Sequence, residues 1–372
     1  MPHYADYNMR LMEPSLEPYS PSRPPENRAA ILMSGGVDSS VSAHLLKEAG
    51  WDLVGITMKV PVACDAGKRG CCGADAAFVC SKLAIPHYFV DVTDAFDKLV
   101  IRRFRDAYAN GRTPNPCVDC NTFLKFSLVW DLLEHEFAIS RLATGHYARI
   151  TQTEHGPALQ AAGDNDKDQS YFIYGIDRRR LGRFMLPIGE RTKPDVRATA
   201  RQLGLSVAEK PESMELCFAG EADYRRALGP SQADRPGDLT DMTGRVIGAH
   251  KGISNYTLGQ RRGLGFAAGE PLYVGRIDPA ANTVALGTRP QVSRRTVRAA
   301  EFNALLPHLL SPAARLLGKI RSYGPPHPCT VADVSSAEIA VEFDQPQFAP
   351  APGQRLVLYN DTGQVIGGGE IA

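Results

Sequence analysis

The chain has 372 residues, 43% of them hydrophobic and 22% charged, with 42 Lys and Arg against 41 Asp and Glu for a net charge of +1. That length suits two or three domains of roughly 100–200 residues, and the ordinary globular composition excludes a disordered chain, a collagen-like repeat and a disulfide-dense miniprotein. No apolar run reaches the roughly 20 residues that a bilayer crossing needs, so no membrane role is expected. The balanced charge excludes a uniformly basic nucleic-acid coat but leaves room for a local basic face.

Residues 1–28 hold six prolines and no periodicity, and are expected to form a flexible leader. They lack a positive stretch followed by an apolar core, and Asp6, Glu13, Glu17 and Glu26 argue against an acid-poor transit peptide. The expected location is therefore the reducing cytoplasm, where cysteines serve redox, metal or nucleophilic chemistry. From Ala29 the pattern is β-α-β. Strands are expected at Ala29–Met33, Asp52–Val60, His87–Val92 and Arg141–Thr144, and helices at Val41–Ala49, Ala74–Leu83, Ala95–Asn110 and Thr122–Phe137. Alternating strands and helices imply an α/β fold with a parallel sheet. After about residue 220 short apolar runs replace the helices. Arg315–Arg321, Cys329–Val334, Glu338–Phe343 and Arg355–Tyr359 read as strands of a small all-β barrel. The expected domains are a catalytic one at 29–222, a Gly-rich linking one at 223–290 and the barrel at 291–372.

The first chemical motif is Ser34-Gly35-Gly36-Val37-Asp38-Ser39-Ser40, between an apolar strand ending at Met33 and a helix. Two glycines allow a sharp turn and a close backbone approach, and the N–H groups opening the helix make an anion site. Asp38 is out of place beside an anion unless a cation balances it, and Mg²⁺ bridging to phosphate is the cation expected. No Gly-Lys-Ser/Thr follows, so this is not a Walker loop.

Two cysteine motifs follow. In Thr113-Pro114-Asn115-Pro116-Cys117-Val118-Asp119-Cys120-Asn121 two prolines stiffen the approach, and Cys120 is expected at a helix start, where a thiol pKa falls. The other is Pro211-Glu212-Ser213-Met214-Glu215-Leu216-Cys217-Phe218. Cys64, Cys80 and Cys329 read as buried packing residues, and the Cys71-Cys72 pair is open.

The loop Ser34–Ser39 resembles the pyrophosphate loop of the ATP pyrophosphatase (PP-loop) superfamily. Together with Thr113–Phe126, Leu142–Tyr147, Lys167–Tyr171, Glu212–Phe218 and Tyr256–Arg261, it makes the chain from about Ala29 onward similar to the tRNA-specific 2-thiouridylases. The resemblance implies adenylation of the 2-oxygen of the tRNA wobble uridine by ATP, with sulfur then displacing AMP. It implies that Cys217 carries a persulfide supplied by a sulfur donor such as a cysteine desulfurase or a sulfur-relay protein. Cys120 would be the nucleophile that frees sulfide or forms a disulfide with Cys217. ATP would meet the loop, Met58 and Gly145. The tRNA would meet Asn115, His146, Lys167, Asp168, Gln169, Arg321, Ser322 and Gln354. A monomer is implied.

The chain departs from many relatives in having Cys117 where they have Asp. Cys117, Cys120 and Cys217 could then hold an iron–sulfur cluster instead, or Cys117 and Cys120 could form a redox pair. Two other readings of the residues stand beside this one: a small-molecule amide synthetase on the same loop, and a non-catalytic RNA-binding protein. RNA needs a basic surface. Residues 178–201 hold eight Arg and Lys against Glu190 and Asp195, and residues 289–327 hold seven against Glu301. Both runs are expected to face phosphate.

Overall fold

The computed structural model describes residues 4–12, 14, 18–61, 73–211, 216–219, 224–229, 232–266 and 269–372. Cys64, Cys71, Cys72 and the Glu212–Glu215 part of the third motif lie outside these residues. The chain divides into two compact units, one of Met1–Leu99 with Val118–Glu221, the other of Val100–Cys117 with Ala222–Ala372.

The first unit is built on a six-stranded sheet: β1 (Arg10–Leu11), β2 (Arg28–Leu32), β3 (Asp52–Lys59), β4 (His87–Asp91), β5 (Leu142–Ala143) and, after the hairpin β6 (Ala148–Thr153) and β7 (Gly156–Ala161), β8 (Phe184–Met185). Its order is β1-β4-β3-β2-β5-β8, and every pairing is parallel except that of β1 with β4. Strands β2 and β3 are almost wholly buried, as continuous apolar runs in a covered parallel sheet should be. Helix α1 (Val37–Glu48) packs Val37, Val41 and Leu46 into a core shared with Ile31, Ala143, Val196 and Ala200.

The segment expected to be a mobile leader contributes β1, where Arg10 pairs with Asp91 and Leu11 with Val90. Without it β4 would be an edge of unpaired N–H and C=O groups. Helix α1 opens at Val37, four residues before the expectation, because the loop runs directly into it. The helical run expected from Thr122 opens at Pro116 and continues with π-type turns over Cys120–Val129. Proline suits a first helical position because the missing N–H would have no partner there.

The second unit contains a four-stranded sheet, β9 (Gly237–Asp241), β10 (Val246–His250), β11 (Tyr273–Asp278) and β12 (Thr283–Gly287), over a core of Leu239, Ile253, Val274, Val284 and Leu286. It also contains a closed barrel of β13 (Ser293–Ala304), β14 (Arg315–Lys319), β15 (His327–Val334), β16 (Ile339–Phe348), β17 (Arg355–Tyr359) and β18 (Val365–Ile371), in the order β13-β16-β15-β14-β17-β18. The twelve-residue β13 closes the barrel by pairing with both β16 and β18, which removes the free edges.

In this unit Glu370 binds the buried Arg355 guanidinium and lies 2.7 Å from Arg112 Nη2. Burial alone would raise the Glu370 pKa, but the charges and hydrogen bonds of Arg355 and Arg112 outweigh it and hold the carboxyl below its ordinary value. A lowered folded-state pKa stabilises above the unfolded carboxyl value of about 4.3, and that stabilisation is lost as pH falls through the folded value. Glu370→Gln should therefore cost about 2–3 kcal/mol at pH 7, the low end for a broken buried pair because Glu370 keeps some contact with water. Thermal melts of parent and variant should converge as the pH drops below about 4.

Candidate active site

Strands β2 and β5 are neighbours in the sheet, yet β2 continues into α1 while β5 follows a long excursion through β3 and β4. This is the switch point where a doubly wound sheet leaves a crevice beyond its carboxyl ends. The loop after β2 and the turn after β5 meet there. A Cβ on Gly145 would lie 2.6 Å from the Ser39 nitrogen and 2.8 Å from the Asp38 carbonyl carbon, so only glycine fits. Gly35 has φ +69°, a left-handed conformation that also favours glycine. The loop braces itself: Ser39 Oγ and Ser40 Oγ donate to the Gly36 carbonyl at 3.2 and 2.8 Å, and the Ser34 N–H donates to Ser39 Oγ at 3.3 Å.

A cavity of about 380 Å³ opens at this junction. Met33, Ser34, Asp38, Ser39, Met58 and Gly145 line it, as do Cys120, Cys217, His146 and Gln169. Gly35 and Gly36 shape the loop, whereas Val37 and Ser40 are buried in the core side of α1. The structure therefore brings both motif cysteines and the phosphate loop to one cavity.

The Asp38 carboxylate already has a cation. Lys193 Nζ lies 2.9 and 2.8 Å from its two oxygens, and the Tyr147 hydroxyl donates to Oδ1 at 2.9 Å. The expectation that Asp38 needs Mg²⁺ for charge balance is corrected on this point. As the acidic side chain of the cavity wall, Asp38 can offer Mg²⁺ one carboxylate, so phosphate oxygens and water would supply the remaining ligands of an octahedral ion. The loop's N–H groups fit the polyphosphate of ATP, and Met33 and Met58 offer apolar surface to its base.

The reading of Cys120 as a helix-start thiol is also corrected. The helix begins at Pro116, so Cys120 lies beyond the first turn. Burial pushes its thiol pKa up, with Lys125 pulling it down and Asp119 adding to the rise. Lys125 Nζ donates to Asn121 Oδ1 at 2.8 Å, and Asn121 Nδ2 donates to the Phe172 carbonyl at 2.9 Å. Cys217 is exposed, and the neighbouring Phe218 packs edge-on against Phe96 of the cavity wall, with centroids 5.9 Å apart. Cys80, Cys117, Cys120, Cys217 and Cys329 all stand as thiols. Among the described residues no three His, Cys, Asp or Glu side chains converge as metal ligands, so the geometry gives an iron–sulfur cluster on Cys117, Cys120 and Cys217 no support.

His146 Nδ1 is 2.8 Å from Thr144 Oγ1. Burial, then Lys125, pushes its pKa down to about 3, so the ring is neutral at physiological pH. The Gln169 side-chain oxygen accepts from the Tyr147 N–H at 2.9 Å. Asp168 is engaged in its own turn, accepting from the Ala162 and Ser170 N–H groups and the Ser170 hydroxyl, while Lys167 is half-buried. Asp168 is itself half-buried, with its carboxylate engaged in these bonds.

The remaining expected RNA contacts belong to the second unit. Asn115 is buried. Gln354 Nε2 donates to the Thr113 and Pro114 carbonyls at 3.0 and 3.1 Å, bracing the loop that leads to Asn115. Arg321 donates to the Phe348 and Ala349 carbonyls and lies over the Phe348 ring, so it braces the barrel. Ser322 is half-buried, and the adjacent Tyr323 is 91% exposed.

The basic run 178–201 also differs from the expectation. Arg180 and Arg183 pair with Asp131 and Glu134, Arg201 with Glu209, Arg179 with Asp177, and Arg197 donates to the Ala208 and Lys210 carbonyls. Arg180 is withdrawn from solvent and Arg183 partly so, whereas Arg179 and Arg201 keep their pairs at the exposed surface. Tyr147 and Lys125 were not singled out from the sequence, and Lys193 was counted only within the basic run 178–201. Lys193 did carry a signal: it opens a helix capped by Thr192 and Asp195, where the dipole disfavours a cation.

Residues 27–221 match the family described as "tRNA methyl transferase HUP domain", residues 227–288 "tRNA methyl transferase PRC-barrel domain" and residues 294–371 "Aminomethyltransferase beta-barrel domain". Similar proteins include the tRNA-specific 2-thiouridylase MnmA of Bradyrhizobium sp., 41% identical over 94% of this chain and 91% of its own length. The protein of the same name from Methylorubrum populi is 42% identical over 94% of this chain and 95% of its own. That from Acetivibrio thermocellus is 40% identical over 93% and 99%.

Gly145→Ala should drive a methyl group into the Ser39 amide, costing about 1–3 kcal/mol of overpacking and weakening ATP binding about tenfold; calorimetric titration with ATP checks this. Timed alkylation at pH 7, read by peptide mass spectrometry, should modify Cys217 well before Cys120. Labelling of Cys120 should accelerate only in strongly alkaline buffer, since the thiolate is the nucleophile.

Proposed function

Because the chain belongs to the tRNA-specific 2-thiouridylase family, it is a tRNA-uridine sulfurtransferase, and we propose that it thiolates the wobble uridine through an adenylated intermediate and a persulfide on Cys217. The observation that carries the mechanism is that Cys120 and Cys217 line the same cavity as Ser34, Asp38 and Ser39.

In the first step the uridine 2-oxygen attacks the α-phosphorus of ATP. The bond to the β-phosphate breaks, and pyrophosphate leaves against the Ser34–Ser39 loop, whose N–H groups at the α1 N-terminus suit a departing polyanion. Mg²⁺ bound with the nucleotide would neutralise part of the phosphate charge. In the second step the terminal sulfur of the Cys217 persulfide attacks C2 and AMP departs. Cys120 then gives up its thiol proton to water and attacks the Cys217 sulfur; the bond between that sulfur and the one on C2 breaks, which releases 2-thiouridine and leaves a Cys120–Cys217 disulfide. An external thiol must reduce that disulfide, and a sulfur donor must reload Cys217. Neutral His146 and the Gln169 side chain offer hydrogen bonds to a base unstacked into the cavity, as chemistry on a looped-out nucleotide requires. Although two family descriptions speak of methyl transfer, methyl transfer gives no reason for two cysteines beside a pyrophosphate loop, and sulfur transfer needs both.

Pyrophosphate release should be stimulated by tRNA and not by small carboxylic acids; stimulation only by an acid would favour an amide synthetase. Cys217→Ser should abolish thiolation and keep tRNA-stimulated pyrophosphate release, read with radiolabelled sulfur and a coupled pyrophosphate assay. Loss of both activities in a folded variant would remove Cys217 from the sulfur-carrying role.

A further inference from the structure

Lys193 is buried at 7% exposure, and a lysine is almost never buried without a partner. It occupies the first position of the ten-residue helix Lys193–Gln202, where the positive end of the helix dipole makes a cation unwelcome. Two costs therefore fall on one residue. What offsets them is Asp38, 155 positions away, whose two oxygens lie 2.9 and 2.8 Å from Lys193 Nζ. The ammonium also lies 5.6 Å from the centre of the Tyr147 ring, and the Tyr147 hydroxyl donates to the same carboxylate. Three separate segments, the first turn of α1, the stretch after β5 and the start of a late helix, thus converge on one carboxylate in the wall of the nucleotide cavity.

Asp38 stands within the first turn of α1, among the N–H donors that would receive a polyphosphate. An uncompensated carboxylate there would repel each phosphate through a partly desolvated medium, where the Coulomb term is large. We propose that Lys193 is a positioning residue of the ATP site that acts through Asp38: it neutralises the carboxylate and, with Tyr147, holds it in place, so that the loop receives the polyphosphate without like-charge repulsion. This rests on the reading of the cavity as an ATP site. It differs from a lysine that grips phosphate directly, because Lys193 becomes dispensable once Asp38 carries no charge.

The test is calorimetric binding of α,β-methylene-ATP in EDTA, without divalent metal so that loss of a Mg²⁺ ligand does not enter, to the full chain and to three variants, Lys193→Met, Asp38→Asn and the double variant, each checked by thermal melting. Lys193→Met should weaken binding about tenfold or more, and adding Asp38→Asn should bring affinity back to within about threefold of the parent. Unchanged affinity in Lys193→Met, or a double variant no better than Lys193→Met, would overturn the proposal. If Lys193→Met alone does not fold, the double variant, which buries no unpaired charge, decides: affinity near the parent's supports the proposal and a tenfold loss ends it. A parent chain that binds no nucleotide would instead sink the ATP-site reading itself.

Discussion

A single close approach organises the catalytic unit. The turn after β5 lies so near the Ser39 amide that a methyl group at position 145 has no space. With that contact made, the residues on either side of Gly145 are committed. Thr144 and His146 become hydrogen-bonded cavity wall, and Tyr147 comes within reach of Asp38. The backbone around a phosphate-binding turn is thus set by steric exclusion between two loops from adjacent strands, which is less adjustable than any side-chain contact.

Charge in the site is arranged by pairing more than by accumulation. Asp38 is matched by Lys193, and Lys125 stands in the cavity wall near Cys120. Within residues 178–201, Arg180 and Arg183 tie to Asp131 and Glu134 some 49 positions away, while Arg179 with Asp177 and Arg201 with Glu209 form exposed local pairs. The two thiols differ in the way the proposed relay asks. Cys217 is exposed, while burial raises the pKa of Cys120 and keeps it protonated at neutral pH. Thiol exchange depends on both thiolate fraction and access, so such a pair favours loading at Cys217 over a wasteful attack from Cys120 before substrate arrives.

In the second unit, which contains the closed barrel, several long polar side chains brace the fold. Gln354 holds the 113–114 carbonyls, Arg321 holds those of Phe348 and Ala349, and Arg355 is matched by Glu370. The family resemblance pointed Gln354 and Arg321 toward RNA. Their donors are aimed at backbone carbonyls of their own unit, since a buried carbonyl without a partner is costly and these long side chains reach it.

Much of the fold was legible in the chain. Strands β2 to β4 are short runs of apolar residues bounded by turn signals, α1 follows a glycine turn, and four barrel strands are short runs separated by turn residues; each pattern acts within a few residues. The phosphate loop was legible for the same reason, because strand, two glycines and helix start are contiguous. What local pattern could not convey was anything decided by a partner far along the chain. The counter-charge of Asp38 lies 155 positions away, the carbonyls held by Gln354 lie 241 and 240 away, and Cys120 is buried by packing. A sequence states which groups are present, and backbone preferences over a few residues determine turns, strands and helix starts. Which charge meets which, and how far a thiol is removed from water, is decided only when distant segments pack, because Coulomb and desolvation energies depend on separation in space and not along the chain.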